Sequence, residues 1–512
     1  MKKTENIKNS KIKNILKCNL KLSLQIAIVV ILTFVICLFV WQVLGYDWRQ
    51  ILSVLQKIIV VFACYEFFGA VLPQIRHKKI SQTADEAFSG KSVYGMKNCG
   101  ERVLSVEGNL DPLIWRLRLI NEAKDYVIYS TMNFRKDQSS TDVLAALLAA
   151  GERGVQVKLL VDSFSSKKFL RSKKLKSALK CPNIEVKAYN PLDILKPWRS
   201  QARLHDKYVI VDDEKYLLGG RNTNNLFLGN YGGRQNIDRE LLVWNLSKNG
   251  GSVQDVKNYF EKIWQLRCCK IIHRGWFDYS EIKNTLTARF ADLKKIYPQA
   301  FNKFDYEVNT YSAKKITFLA NQTVPYNKEP VLWHNLIKIM AESKNILIQT
   351  PYLILSKDMY NDLTEIASSP NRSVGVITNS VETGANAWGC SNYLSQKNKL
   401  LQTGITIFEC VSHDSCHLKC LMLDNCLSIV GSFNFDMRSC YLDTELMLVV
   451  DSDDLNSELR QYAETAVAKS RCVVSEKPIS FGSLYEKVPL KPSKLLIYSI
   501  LRLVIIPIRF LL

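Results

Sequence analysis

The pattern His-x-Lys-x4-Asp occurs twice, as His205-x-Lys207-x4-Asp212 and His417-x-Lys419-x4-Asp424. Each copy continues at the same spacing into a small-residue corner, Gly219-Gly220-Arg221-Asn222 in the first and Gly431-Ser432-Phe433-Asn434 in the second. The chain has only six histidines, and two of them head the same long pattern. Each copy also closes a series of short β-branched runs alternating with helical stretches. The first series is 126–130, 141–151, 155–162, 167–179 and 184–189; the second is 345–352, 357–367, 374–378, 388–402 and 405–410. Such alternation predicts α/β layers on a mainly parallel sheet, and its recurrence predicts one architecture built twice.

The residue types point to phosphate-ester chemistry. A strand period of two over 204–211 puts His205, Lys207, Val209 and Val211 on one face, so a nucleophile and a cation project together. After a turn at 212–215, the glycines allow close backbone approach to a phosphate, and the Asn222 amide is a donor. The second copy repeats this with Ser432 and Asn434. Further on, each half places a carboxylate at a strand start, Asp238 in NIDRELLVW and Glu445 in LDTELMLVV. A carboxylate bonded to one imidazole nitrogen fixes the tautomer and raises the basicity of the other, as a nucleophilic histidine requires.

At 512 residues and 47% apolar, the chain has material for two domains or for one duplicated domain with attachments. Its net charge of +21 suits an anionic polymer or an anionic membrane surface. Residues 1–21 hold seven lysines and a single acid, Glu5, and precede an apolar run at 22–44. That run is long enough for a hydrocarbon core of about 30 Å. A second apolar stretch, 51–75, is interrupted by Lys57 and Glu66 and followed by Arg76, His77, Lys78 and Lys79. Positive charge on both flanks predicts a helical hairpin with both ends cytoplasmic, which puts everything from Ile80 onward on the cytoplasmic side of a multi-pass membrane protein. The fourteen cysteines lack regular spacing, which points to a reducing compartment. Residues 494–512 are apolar with Arg502 and Arg509, reading either as a segment lying on the membrane or as a core-packing helix.

His413, Cys416, His417, Cys420 and Cys426 crowd together as zinc ligands can. Strand geometry, however, places Cys416 and Cys420 opposite His417 and Lys419, and a zinc-bound His417 could not serve as a free acid or base. No metal is expected.

These residues closely resemble the phospholipase D superfamily, whose signature is His-x-Lys-x4-Asp-x6-Gly-Ser/Gly-x-Asn, over roughly residues 105–475. With the amino-terminal hairpin, the chain is similar to bacterial cardiolipin synthases of the phospholipase D type. The resemblance implies a duplicated, bilobed α/β fold with mixed, mainly parallel sheets. Its halves would be 105–245 and 336–475 around a connector at 246–335, behind a tail and hairpin at 1–79 and before an apolar segment at 476–512. It implies one site at the pseudo-twofold interface, where His205 attacks phosphorus to give a phosphohistidine. His417 would protonate the departing alcohol and deprotonate the acceptor.

By the same resemblance Lys207, Lys419, Asn222, Asn434 and Ser432 carry the phosphate oxygens, while Asp238 orients His205 and Glu445 orients His417. Asp212 and Asp424 position strand and loop, and Gly220, standing where the second copy has Ser432, costs one hydroxyl contact. No cofactor is implied. The expected reaction moves a phosphatidyl group from phosphatidylglycerol to a second lipid alcohol at an anionic membrane, with no nucleic acid partner. A phospholipase D-type hydrolase is the alternative enzyme reading. A catalytically dead membrane scaffold is disfavoured by the intact histidines, lysines and asparagines.

Overall fold

Strands joined through helices pair in parallel, and strands joined by a tight turn pair antiparallel. The computed structural model describes residues 48–247, 250–275, 279–475 and 478–512, and follows both rules within the unit formed by His77–Asn190 and Ala202–Leu512. Its first sheet runs Tyr311–Ser312, Glu101–Val106, Glu240–Asn245, Lys215–Gly219, Tyr208–Val211, Tyr126–Thr131, Gln156–Asp162, Ile184–Tyr189, Lys270–Ile271. The second runs Lys315–Ala320, Leu446–Asp451, Leu427–Gly431, Cys420–Leu423, Asn345–Gln349, Ser373–Asn379, Thr406–Cys410, Ser470–Val473, Pro478–Phe481. With the outer strands Tyr311–Ser312 and Pro478–Phe481 set aside, the two orders are the same.

The sheets are mixed, but the expectation that they are mainly parallel is corrected. Parallel pairing is confined to Tyr126–Thr131, Gln156–Asp162 and Ile184–Tyr189 in one sheet, and to Asn345–Gln349, Ser373–Asn379 and Thr406–Cys410 in the other. The motif hairpins and the strands that follow them return without a helix and so add antiparallel neighbours. The helices between the parallel strands start on side-chain caps: Asp137 accepts from Ser140 N, and Ser356 accepts from Met359 N.

The stretch 246–335 is not a separate connector. Ser252–Trp264 occupies in the first half the place of Asp453–Ala468 in the second, and Lys315–Ala320 already belongs to the second sheet. The sequence division failed because the repeat closes with a helix after its carboxylate-bearing strand. Between the two sheets lies one shared apolar core, with Ile128, Tyr208 and Ile210 from one side, Met422, Val430 and Leu448 from the other, and both closing helices contributing.

Residues 48–76 with Pro191–Gln201 form the other unit. The apolar run 22–44 lies outside the described residues. The second run forms the helix Trp48–Val71, and the stretch Leu52–Gln74 is long and apolar enough to cross a membrane. It is the one such stretch among the described residues, so the hairpin itself is not seen. Its Ile59, Val60, Val61, Phe67 and Phe68 are exposed. Tyr65 donates to Leu195 O and Gln74 to Trp198 O, tying the Pro191–Gln201 loop to this helix.

The apolar carboxy-terminal segment packs on the protein along one face and leaves another exposed. Pro492–Ile508 is a helix lying along Ala387–Leu401, with Tyr498 and Ile505 buried and Tyr498 donating to Val381 O. Leu496, Ile500, Leu503 and Ile506 face outward.

Beneath the first sheet Arg116 donates to both carboxylate oxygens of Glu240 at 2.7 Å, and both side chains are buried. Removing one partner of such a pair leaves an uncompensated buried charge, which is costlier than losing an exposed bridge. Arg116→Leu is therefore expected to lower stability by about 3–5 kcal/mol. Thermal melting of the purified protein reads this directly, and a melt indistinguishable from the parent contradicts it.

Candidate active site

Sequence reading put His205 and Lys207 within a strand, yet Tyr208–Val211 begins only after them. The residues before it are drawn across to the other half. Leu204 bridges to Thr444, and His205 N donates to Thr444 Oγ1 at 3.1 Å. In the second copy Ser415–Cys416 pairs in parallel with Asn236–Ile237, and His417 N donates to Ile237 O at 2.7 Å. The segment leading into each motif is thus paired with the segment leading into the other half's carboxylate.

This pairing exchanges the expected partners. His205 Nδ1 lies 2.7 Å from Glu445 Oε1, and His417 Nδ1 lies 2.6 Å from Asp238 Oδ2. The assignment of Asp238 to His205 and Glu445 to His417 is corrected: each carboxylate serves the histidine of the opposite half. Donation from Nδ1–H to a carboxylate leaves the Nε2 lone pair free for chemistry.

The two lysines are buried beside the imidazoles. Lys207 donates to His205 O. Lys419 donates to His417 O, and its Nζ lies 2.6 Å from His417 Nδ1 and 3.8 Å from Asp238 Oδ2.

Ser432, read as a phosphate ligand, spends its hydroxyl on Glu445, whose other oxygen accepts from Ser439 Oγ at 2.6 Å. In the first copy a Cβ at Gly220 would stand 2.5 Å from both Asp238 oxygens. The Gly–Ser difference therefore follows the carboxylates: a serine clamps Glu445, and a glycine makes room for Asp238. Asn222 accepts from Asn133 N at 3.2 Å, and Asn434 Oδ1 is buried with no hydrogen-bond partner.

Asp212 and Asp424 lie away from the imidazoles, at hairpin corners with positive φ. Asp212 accepts from the backbone N of Lys124, Asp125 and Tyr126, and Asp424 from those of Lys344 and Asn345. Each fixes the start of the neighbouring parallel strand.

Burial and the lysines keep both histidines neutral. His417 is pushed down to about 3 by burial and by Lys419, and His205 well below its ordinary value by burial, Lys207 and Lys419. The carboxylates diverge. Burial pushes Glu445 up to about 7, whereas at Asp238 the upward push of burial is outweighed by Lys419, His417 and Arg221, so it stays below the ordinary carboxylate value. Burial brings Lys207 down to about 8.

Sequence reasoning missed Thr444, Ser439 and Phe227. Phe227 sets its ring edge-on to His417 at 5.0 Å between centroids. Ser439 and Phe227 each stand five residues after a motif asparagine, so aligning the copies finds them. A cavity of about 230 Å³ opens beside His417, lined by Arg135, Asn222, Tyr352, Asn386 and Ser415 among others. Of the crowded residues weighed for zinc, His417 is engaged by Asp238, and Cys420 accepts from Arg239. Cys426 lies with Asp451 and Asp453 in the one group of ligand-type side chains clustered tightly enough for an ion among the described residues. Lys314 already stands there, 2.8 Å from Asp453 and 4.0 Å from Asp451.

A family model described as cardiolipin synthase, PLD-like domain, matches residues 117–264 and 336–467. Cardiolipin synthase C of Escherichia coli (strain K12) is 26% identical over 408 residues, covering 70% of this chain and 82% of that protein. Cardiolipin synthase 1 of Staphylococcus epidermidis is 26% identical over 373 residues, covering 72% of this chain and 67% of the relative. Among solved structures, the phosphatidylserine synthase of Haemophilus influenzae Rd KW20 shares the fold with a TM-score of 0.55 at 14% identity, over 82% of this chain and 98% of that one.

The site carries a pH signature. Glu445 is the stronger acceptor for Nδ1–H when ionised, so lowering pH through about 7 weakens its hold on the imidazole. Lys207 is a cation only below about 8. Turnover is expected to follow a narrow bell in kcat/KM between those values. Glu445→Gln should erase the acid limb and lower kcat, whereas Asp238→Asn should lower kcat and keep that limb. An unchanged acid limb in Glu445→Gln contradicts the assignment.

Proposed function

The chain belongs to the cardiolipin synthase, PLD-like domain family, and from that membership we propose that it is a membrane phosphatidyltransferase. It would move the phosphatidyl group of phosphatidylglycerol to a second lipid alcohol through a phosphohistidine. The observation that carries this reading is the pair of neutral imidazoles, each held at Nδ1 by a carboxylate and each beside a buried lysine.

In the first step His205 Nε2 attacks phosphorus. A P–N bond forms, the P–O bond to glycerol breaks, and His417 gives its proton to the departing oxygen. His417 must first be protonated, and the incoming phosphodiester brings that about. Its negative charge offsets Lys207 and Lys419, whose repulsion depresses the imidazole. In the second step His417 takes the proton of the acceptor hydroxyl, the oxygen attacks phosphorus, and the P–N bond breaks. Asp238, held ionised, stands behind the histidine that becomes cationic, and the cavity for an alcohol opens on that same histidine. Both support His205 as nucleophile and His417 as acid and base. Lys207, Lys419, Asn222 and Asn434 supply the donors that stabilise charge on the phosphoryl oxygens.

The exposed apolar helix Leu52–Gln74, the outward apolar face of Pro492–Ile508 and the net charge of +21 support work at an anionic bilayer. The lysine-rich residues 1–21 and the basic group after Ile75 support a location in a bacterial cytoplasmic membrane, with the site on the cytoplasmic side.

Purified full-length protein in vesicles of labelled phosphatidylglycerol should yield cardiolipin and glycerol. Phosphatidic acid alone would make it a hydrolase. His205→Ala and His417→Ala are each expected to cut turnover by about a thousandfold or more. Acid-quenched protein should carry phosphorus label from the donor in the parent and none in His205→Ala. Label retained on that variant reverses the histidine roles.

A further inference from the structure

The cavity beside His417 has a charge character that the phosphoryl chemistry does not use. Its lining includes Arg135, Asn222, Tyr352, Asn386, Ser415 and His417, and among the described residues no carboxylate lines it. The helix Ala387–Leu401 starts at this wall, where Asn386 accepts from Trp388 N and Gly389 N, so the positive end of that helix faces the cavity. Burial raises the Tyr352 phenol and keeps it a donor.

Arg135 is anchored through its backbone. Its N donates to Thr223 O, one residue past Asn222, while its guanidinium has no hydrogen bond or ion pair with any described residue. Arg135 is exposed, whereas buried and half-buried arginines of the unit are paired: Arg116 with Glu240, Arg239 with Glu107, Arg289 with Asp142, Arg471 with Glu382 and Glu409.

The duplication shows that this charge is not inherited scaffold. Phe134 bridges to Thr223 just as Leu353 pairs with Phe435, so the residue in the second half that corresponds to Arg135 is Ile354, paired with Asp436 and only 3% exposed. A cation thus stands on one side of the pseudo-twofold, in the half-site where His417 acts, and an aliphatic side chain stands on the other.

We propose that Arg135 binds the phosphodiester of the acceptor, which makes this cavity a subsite for an alcohol already carrying a phosphate. The inference rests on the phosphatidyl-transfer reading. During transfer the reacting phosphorus lies between the imidazoles, and the acceptor hydroxyl must reach His417 through the cavity. An acceptor with a second phosphodiester one glycerol away places that anion toward an unpaired guanidinium and a helix amino terminus. A neutral alcohol or water uses neither, so Arg135 favours a lipid acceptor over solvent, and transfer over hydrolysis.

The test is competition between acceptors from one donor. Full-length protein in phosphatidylglycerol vesicles with added 1-propanol should form both cardiolipin and phosphatidylpropanol. Losing a charge-assisted hydrogen bond is worth roughly a tenfold change or more. Arg135→Gln is therefore expected to lower the ratio of cardiolipin to phosphatidylpropanol about tenfold, and Arg135→Lys to restore part of it. A ratio unchanged in Arg135→Gln overturns the assignment, whatever happens to the total rate. Parent protein that yields only phosphatidic acid overturns the transfer reading, and this inference with it.

Discussion

Each histidine takes its hydrogen-bond acceptor from the other half of the chain, and the rest of the site depends on that exchange. Glu445 and Asp238 are buried, and each would lose its imidazole partner if the halves moved apart. The backbone enforces the exchange through the Leu204–Thr444 bridge and the Ser415–Cys416 pairing with Asn236–Ile237. The shared apolar core keeps the two sheets in the register these pairings need. Interface and active site are therefore one structure, and a change that loosens one half against the other disarms both imidazoles together.

The exchange also sets the charge balance. Two buried lysines face two buried carboxylates, and around them burial pulls Lys207 down to about 8 and Glu445 up to about 7. A site so close to neutral is poised for one more anion. A phosphodiester entering between the imidazoles would restore the lysines' preference for charge and lift the histidines at the same moment. On the proposed reading, substrate binding thereby supplies the protonation that the departing alcohol needs, with the paired lysines at the phosphoryl oxygens.

Much of this was legible in the sequence because the duplication reports on itself. The two series of strands and helices located 184–189 and 357–367 to the residue, and the paired motifs named the histidines and lysines that lie beside the buried carboxylates. What the sequence could not convey was pairing between halves. Asp238 and Glu445 follow the motif of their own half, and linear order alone joins each to the nearer histidine; only the crossing of Thr444 onto Leu204 reveals the opposite. The mainly parallel sheet was a second misreading of local order. Alternation with helices describes three strands of each sheet, and the hairpin-linked strands leave no helical signal to count. Ser432 misled for a third reason: in a signature shared with Gly220 its hydroxyl looks like a phosphate ligand until Glu445 is found against it.

The departures from symmetry are where the two halves have taken different work. Glu445 is one methylene longer than Asp238, and Ser432 and Ser439 hold it, whereas Gly220 leaves the shorter Asp238 directly against His417. After His205 comes Asp206, buried against Tyr259 and pushed up to about 7 by burial and by Glu445; after His417 comes Leu418. Burial raises Glu445 and Asp206 alike, so the carboxyl groups beside His205 are held ionised less firmly than Asp238 beside His417. Around Asp238 stand Lys419 and Arg221, which keep that carboxylate ionised beside the histidine that the proposed reading makes a cation. The same half-site holds the cavity and Arg135. A duplicated scaffold supplies two equivalent imidazoles, and on the proposed reading the unequal charges packed around them are what divide attack from proton transfer.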